Sequence, residues 1–431
     1  LVCYSLSALV ILLAFWPLGF LPALLLGIYS LNVSFFRKYR SDAQSAEYHR
    51  GWQNFLWLNL LIGFWLTQYL LIVLDPFRIS QHLSSIIACS LIGIGILQLG
   101  LTLYNLIKLR RPKTAMAHDW PKVSVILHAY NQADNISSTL LSVLGQNYPE
   151  FEVLFADLGS SDNTKKLAEG FVDDRMKIVD LGNPPLDWQI GSWAAMELTR
   201  QASGDLVVSI TADTILLPNT LSIVVSALLE QKLQLVSLLP TDQNKTLAQK
   251  LILNQNHFLL LGAYPAAFLE HYHPKVNLAY GGLVCFDKQA ITTKNVFEQI
   301  KLSPIEDLDL AKQASLGGLK TAFYLASDIA VSQNHAGLGH ITQQNIRRFY
   351  PALHFNMPLA LAAASLGGFL FITPGVGIAV SFLFGRAAFD LWIAAYVAGL
   401  VPRVVVAVRS RQGFIGSLLY PATSLVTMAT I

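Results

Sequence analysis

The chain of 431 residues is 53% hydrophobic and only 13% charged, about half the charge of an ordinary soluble domain. This excludes disorder for most of its length and points to membrane-embedded segments rather than to a larger core. A net charge of +3 leaves no basic footprint, so no nucleic-acid partner is expected. Cys3, Cys89 and Cys285 are too few and too scattered for a disulfide framework or a cysteine zinc site, which fits a reducing compartment. No cleavable leader is evident, and because the chain begins at Leu1 rather than Met, a start upstream is expected.

Residues 1–113 carry three apolar runs, at roughly 6–32, 54–74 and 85–107, each near or above the ~20 residues that cross a bilayer. Gly93, Gly95 and Gly100 in the third run would allow close helix approach. Basic residues concentrate at Arg37, Lys38, Arg40 and Arg50 and again at Lys108, Arg110, Arg111 and Lys113, whereas the second loop holds only Arg78. Both basic loops are therefore expected in the cytoplasm, with the N-terminus outside.

Residues 114–349 hold 17 basic and 23 acidic residues, 40 of the 57 charges in the chain. Strands are expected at 122–128, 152–156, 176–180 and 205–210, alternating with helices that include one at 163–171. Polar clusters follow the strand ends at 130–135, 157–164 and 211–214. Such alternation predicts a mostly parallel, Rossmann-like α/β sheet covered on both faces, with ligands at its carboxyl edge. His257, His271 and His273 lie among Tyr264, Phe268 and Tyr272, a pattern closer to an interfacial helix than to a metal cluster.

Residues 350–431 read as about three further spans, at 356–373, 376–401 and 413–430, with Pro374-Gly375 as a tight reversal. A break at Gly385-Arg386 is the alternative. Arg386 and Asp390, four apart, would pair inside a span. The whole describes a multi-pass protein of the inner (plasma) membrane with a cytoplasmic middle domain.

Several segments resemble motifs of family 2 glycosyltransferases, in the right order over about 121–350. They are Pro121-Lys-Val-Ser-Val-Ile with Tyr130-Asn131, Gln146-Asn-Tyr-Pro149, and Asp157-Leu-Gly-Ser-Ser-Asp162. Trp188 with Gly191-Ser-Trp193-Ala, Thr211-Ala-Asp213-Thr, Glu306-Asp307-Leu-Asp309, and Gln344-Asn-Ile-Arg347-Arg348-Phe349 complete the set. Flanking spans make the chain most similar to the branch that glycosylates lipids such as ceramides, hopanoids and carotenoids. The resemblance implies a GT-A-type fold, a nucleotide-sugar donor, a lipid-like acceptor and inversion at the anomeric carbon. Asp213 is then the candidate ligand for Mg²⁺ or Mn²⁺, which would neutralise the leaving diphosphate. Asp307 is the candidate base with Glu306 beside it. Asp157, Asp162, Asn131 and Trp188 would contact the nucleotide sugar, and Arg347 or Arg348 the diphosphate.

The same residues admit structural roles. Asp157 and Asp162 could cap a turn and a helix, Asp213 could be a turn residue, and Glu306 and Asp307 could be first-turn acids. Trp188 could be packing, and Arg347 and Arg348 could meet lipid headgroups. Where the family places acids or a Lys, this chain has Gln132, Leu158, Thr211 and Ser192. A catalytically silent structural subunit of a membrane protein complex is therefore the rival expectation, with a processive polysaccharide synthase behind it.

Overall fold

The computed structural model describes residues 79–109, 112, 120–243, 246–263, 282–333, 345, 357–383 and 388–428. The expected spans at 6–32 and 54–74, together with Arg347, Arg348, Arg386, His271 and His273, lie outside the described residues.

The central strand β1 (Val123–Ala129) is hydrogen-bonded on both sides in parallel register, to β2 (Phe151–Asp157) and to β4 (Leu206–Thr211). Its side chains alternate between two buried faces. Val123, Val125 and Leu127 belong to one apolar cluster and Ile126 to another on the opposite face. Burial on both faces is why the strand reads as an unbroken apolar run. β3 (Met176–Ile178) extends the sheet beyond β2. On the other side β8 (Leu283–Asp287) pairs antiparallel with β4 and with β6 (Leu235–Leu239), and β9 (Thr321–Leu325) closes the sheet parallel to β6. The seven-stranded order is β3-β2-β1-β4-β8-β6-β9. The four expected strands are all present, and the sheet is mixed because β8 runs against its neighbours.

Helices cover both faces. α2 (Ile136–Leu144), α3 (Thr164–Glu169) and α5 (Thr220–Glu230) lie on the Val125 side. α4 (Ile190–Gln201), α7 (Lys288–Thr293), α8 (Val296–Gln299) and α9 (Glu306–Leu316) lie on the Ile126 side. A small second sheet runs in the order β5 (Thr214–Leu216), β10 (Ala330–Ser332), β7 (Thr241–Asp242). It leads to α6 (Leu247–Phe258), which continues into a π-helical turn at Leu259–Ala263. Here His257 departs from the interfacial expectation, because its Nε2 sits 2.9 Å from Asp242 Oδ2 and both side chains are 5% exposed.

α1 (Ile79–Lys108) and α12 (Phe389–Arg409) contain the two described helices that are long and apolar enough to cross a membrane. α10 (Met357–Phe371) and α11 (Thr373–Leu383) bend by 44° at Ile372, just before the expected Pro374-Gly375 reversal. The expected helix over 376–401 is divided. α11 stops at Leu383 and α12 starts after Ala388, whose φ of 80° cannot continue a helix. The last expected span is two short helices, α13 (Ile415–Leu418) and α14 (Tyr420–Met428). α1 and α12 pack closely at Gly95, where a Cβ would come 2.8 Å from that of Ala398; at Gly93 and Gly100 no described residue comes within 4 Å of such a Cβ. Within α12, Pro402 removes one backbone donor. Next to it the buried Arg403 donates from Nη1 to the Gly399 carbonyl at 2.6 Å. Its guanidinium carbon lies 3.9, 4.2 and 4.3 Å from the ring centres of Phe258, Phe371 and Tyr420. Four helical segments thus share one cation–π cage.

Glu152 joins β2 to the approach of β4. Its Oε1 accepts from Ser124 Oγ (2.6 Å), Ser203 N (2.6 Å) and Ser203 Oγ (2.8 Å). Burial pushes this carboxyl up, but the hydrogen bonds from Ser124 and Ser203 outweigh it and hold Glu152 below the ordinary carboxylate value. The stabilisation is therefore present above the unfolded-state pKa and disappears as pH falls through the lower native one. In thermal unfolding followed by tryptophan fluorescence, Glu152→Gln should melt below wild type at pH 7, with a gap that closes toward pH 3. A gap of constant size across that range would contradict the account.

Candidate active site

The parallel register brings three strand ends together: Ala129 pairs with Asp157, and His128 pairs with Thr211. The loops that follow are fastened to each other. Asn131 adopts φ 51°, donates its backbone N–H to Ser160 Oγ (2.9 Å) and accepts at Oδ1 from Ser161 N (2.8 Å). Asp162 Oδ2 accepts from Ala133 N (3.0 Å) and Oδ1 from Thr164 N (2.9 Å). Burial pushes the Asp162 carboxyl up, but the hydrogen bonds from Thr164 and Ala133 outweigh it and hold it below the ordinary carboxylate value. Gln132, where the family has an acid, takes part through its backbone N–H, which donates to Thr164 Oγ1 at 2.7 Å. Asn131 and Asp162 therefore shape the rim of the site by joining its two loops.

Asp157 divides its oxygens. Oδ2 accepts from Gly159 N (3.2 Å) and Ser160 N (3.0 Å), while Oδ1 is buried with no hydrogen-bond partner. A buried carboxylate oxygen without a donor is costly, and a ligand N–H or hydroxyl would satisfy it. Asp213 stands beyond the end of β4. Its Oδ1 accepts from Thr211 Oγ1 (2.6 Å) and its Oδ2 from Ser332 Oγ (3.2 Å). Each oxygen keeps a lone pair. One carboxylate with open lone pairs fits a Mg²⁺ or Mn²⁺ ion carried mainly by substrate phosphates, and among the described residues no group of three acidic, His or Cys side chains forms a site by itself.

A pocket of about 230 Å³ opens on the Ile126 face, between the sheet and α8–α9. Its floor is apolar, from Ile126, Val284, Phe286, Phe297, Ile300 and Leu310, and its polar groups are His128, Ser209, Thr211, Glu306 and Asp307. Glu306 and Asp307 begin α9, where the helix dipole favours negative charge. The third acid of that turn, Asp309, is occupied differently, accepting from Ser303 Oγ at 2.6 Å. Gly191, in the first turn of α4, is the seat of Glu306, since a Cβ there would lie 3.1 Å from Oε1. Ser192, where the family has Lys, donates to the Ser303 carbonyl at 3.4 Å and holds the loop before α9.

Of the residues singled out in the sequence, Glu306 and Asp307 line this pocket; Asp157 and Asp213 border the same strand edge outside it, linked to it through Ala129 and Thr211. Leu158 is not among the lining residues, so the pocket is not plugged from there. Trp188 packs on the second apolar cluster beside Met196 and Leu308 rather than in the pocket. His128 gave no signal in the sequence. It ends a β-branched run and becomes visible as a pocket residue only through its register with Thr211.

With this geometry in hand, comparison with known proteins is specific. Residues 124–300 match the sequence signature of Glycosyl transferase family 2. The α/β domain built on these residues is similar to that family over this span, which is less than half of the chain. The chain is 38% identical over 103 residues to Glycosyltransferase AglE of Haloferax volcanii, covering 23% of this chain and 32% of that one. It is 33% identical over 111 residues to UDP-Glc:alpha-D-GlcNAc-diphosphoundecaprenol beta-1,3-glucosyltransferase WfgD of Escherichia coli, covering 26% and 42%. The match thus spans about a third to two fifths of the length of these relatives. Among solved structures, a mannosyltransferase from Pyrobaculum calidifontis in complex with GDP-Man and Mn²⁺ superposes with a TM-score of 0.49 at 19% identity, over 79% of this chain and 99% of that one.

The seat of Glu306 gives a direct test. Gly191→Val should displace the Glu306 carboxylate and, if the chain is a glycosyltransferase, lower sugar transfer by about tenfold or more, while the melting temperature stays near wild type. Full activity in that variant would show that the close contact is dispensable.

Proposed function

We propose that the chain transfers a sugar from a nucleotide-sugar donor to the hydroxyl of a lipid-like acceptor, inverting the anomeric carbon. The observation that carries this reading is the placement of Glu306 and Asp307 at the start of α9, over a pocket with an apolar floor. An acidic mouth above an apolar floor suits a hydroxyl carried on an apolar body. The name of the Escherichia coli relative, which specifies a diphosphoundecaprenol-linked sugar, is consistent with a lipid-linked acceptor.

In this mechanism Asp307 takes the proton of the acceptor hydroxyl as its oxygen attacks the anomeric carbon. The bond from that carbon to the diphosphate breaks on the opposite side, and the nucleoside diphosphate leaves with the electron pair. Glu306 orients the reacting groups from its seat on Gly191. Asp157 offers its partnerless Oδ1 to a donor group on the nucleotide, while Asn131 and Asp162 keep the two loops in register beneath it. Asp213 would hold Mg²⁺ or Mn²⁺, which supplies positive charge to the diphosphate. Trp188 buttresses the loop at 184–190, and Arg347 and Arg348 are assigned to the departing diphosphate. In this reading the reaction takes place at a membrane, with the α/β domain on the cytoplasmic side; the two helices of spanning length support the membrane part.

The test uses the full chain in detergent with UDP-glucose or GDP-mannose and Mn²⁺. Asp213→Ala should weaken donor binding by calorimetry. Asp307→Asn should leave donor binding intact and reduce nucleoside diphosphate release by about 10²–10⁴-fold. If wild type binds neither donor at millimolar concentration, the transferase reading fails and a silent structural role takes its place.

A further inference from the structure

The pocket contains a titratable side chain that no motif assigns. His128 leaves β1 on the same face as Ile126, the face covered by α4 and α9. Its side chain is 20% exposed, its Nε2 lies 3.7 Å from Glu306 Oε1, and its Nδ1 is buried with no hydrogen-bond partner. Glu306 and Asp307 line the pocket with it from α9, and Thr211 does so from β4. Ala156 is its register neighbour on β2, and Gly191 of α4 lies against the Glu306 carboxyl. Among the residues lining the pocket, His128 is the one basic group beside two adjacent acids.

These facts fix the chemistry of the ring. A proton on Nδ1 of the neutral ring would be a buried donor with no acceptor, which disfavours the Nδ1–H tautomer. The remaining form carries its proton on Nε2, on the side of Glu306. A separation of 3.7 Å exceeds a hydrogen bond, but such contacts tighten when substrate closes a site. Two acids at the same helix start also compete for charge. A donor directed at Glu306 holds that carboxylate still, which leaves the proton-accepting role to Asp307.

We propose that His128 is a positioning residue of this site, whose Nε2–H holds the Glu306 carboxylate on Gly191 and so aims Asp307 at the acceptor hydroxyl. The geometric part stands by itself; its consequence for rate rests on the transferase reading. Two measurements separate them. In the full chain labelled at histidine, carbon and nitrogen NMR of the signal that disappears in His128→Gln should report the Nε2–H tautomer at pH 7–8. Glu306→Gln should move the His128 Nε2 resonance, because the group that this nitrogen faces is changed. An Nδ1–H tautomer, or an Nε2 resonance that Glu306→Gln leaves unmoved, overturns the proposal. In nucleoside diphosphate release from UDP-glucose, His128→Ala should lower kcat about tenfold or more with little change in KM. His128→Gln, whose amide N–H reaches toward Glu306, should recover most of that loss. A His128→Ala enzyme as fast as wild type overturns the positioning role. If wild type releases nothing from UDP-glucose or GDP-mannose, the transferase reading fails, and the NMR result still decides the contact.

Discussion

The constraint on which this structure rests is the double parallel ladder of β1. Hydrogen bonds to β2 on one side and β4 on the other force three strands to end at one edge and in one register. The loops leaving that edge have no choice but to meet. Asp157, His128 and Thr211 are neighbours for this reason alone, although 83 residues separate His128 from Thr211 in the chain. The apolar alternation within the strand makes the ladder rigid, since a slip of one residue would exchange the two buried faces. The polar edge is thereby a product of the apolar core.

The site itself divides into two kinds of polar group. Asn131, Asp162, Asp309 and Ser192 spend their hydrogen-bonding capacity on the protein and hold loops in place. Asp157 Oδ1 is buried without a hydrogen-bond partner, and Glu306 and Asp307 line the pocket, where Asp307 Oδ1 also accepts from Leu308 N at 2.8 Å. The substitutions that depart from the family pattern fall among the holding groups or beside them. Thr211 donates to Asp213 rather than duplicating its charge, and Ser192 ties down the approach to α9. Loss of charge at these positions accordingly leaves the pocket open and its acids in place.

Much of this was legible in the sequence, for identifiable reasons. β1, β2, β3 and β4 stood out because each is an apolar or β-branched run bounded by polar clusters, and their order implied the parallel edge. Glu306 and Asp307 were found because Glu306-Asp307-Leu-Asp309 resembles the acceptor-side motif of family 2 glycosyltransferases. Leu235–Leu239, Leu283–Asp287 and Thr321–Leu325 were not found, because five-residue runs with four apolar residues each read equally well as pieces of helix. The antiparallel direction of β8 has no local signature. Arg403 reads in the sequence, with Arg409 and Arg411, as part of a cytoplasmic loop between the last two spans, yet it lies inside α12, enclosed by rings from three other helical segments. His257 was misplaced for the same reason: its partner Asp242 is supplied by a two-residue strand that no periodicity reveals.

The small sheet has a mechanical implication. Ser332, which holds one oxygen of Asp213, lies opposite Asp242 in the register of β10 and β7, and Asp242 holds His257 of α6. The next residue of α6, Phe258, stacks on Arg403 of α12. A short chain of contacts therefore runs from Asp213 to the interior of a span-length helix. The setting of the Asp213 carboxylate and the packing around Arg403 are thus not independent, because a shift in any one of these contacts is felt by its neighbours.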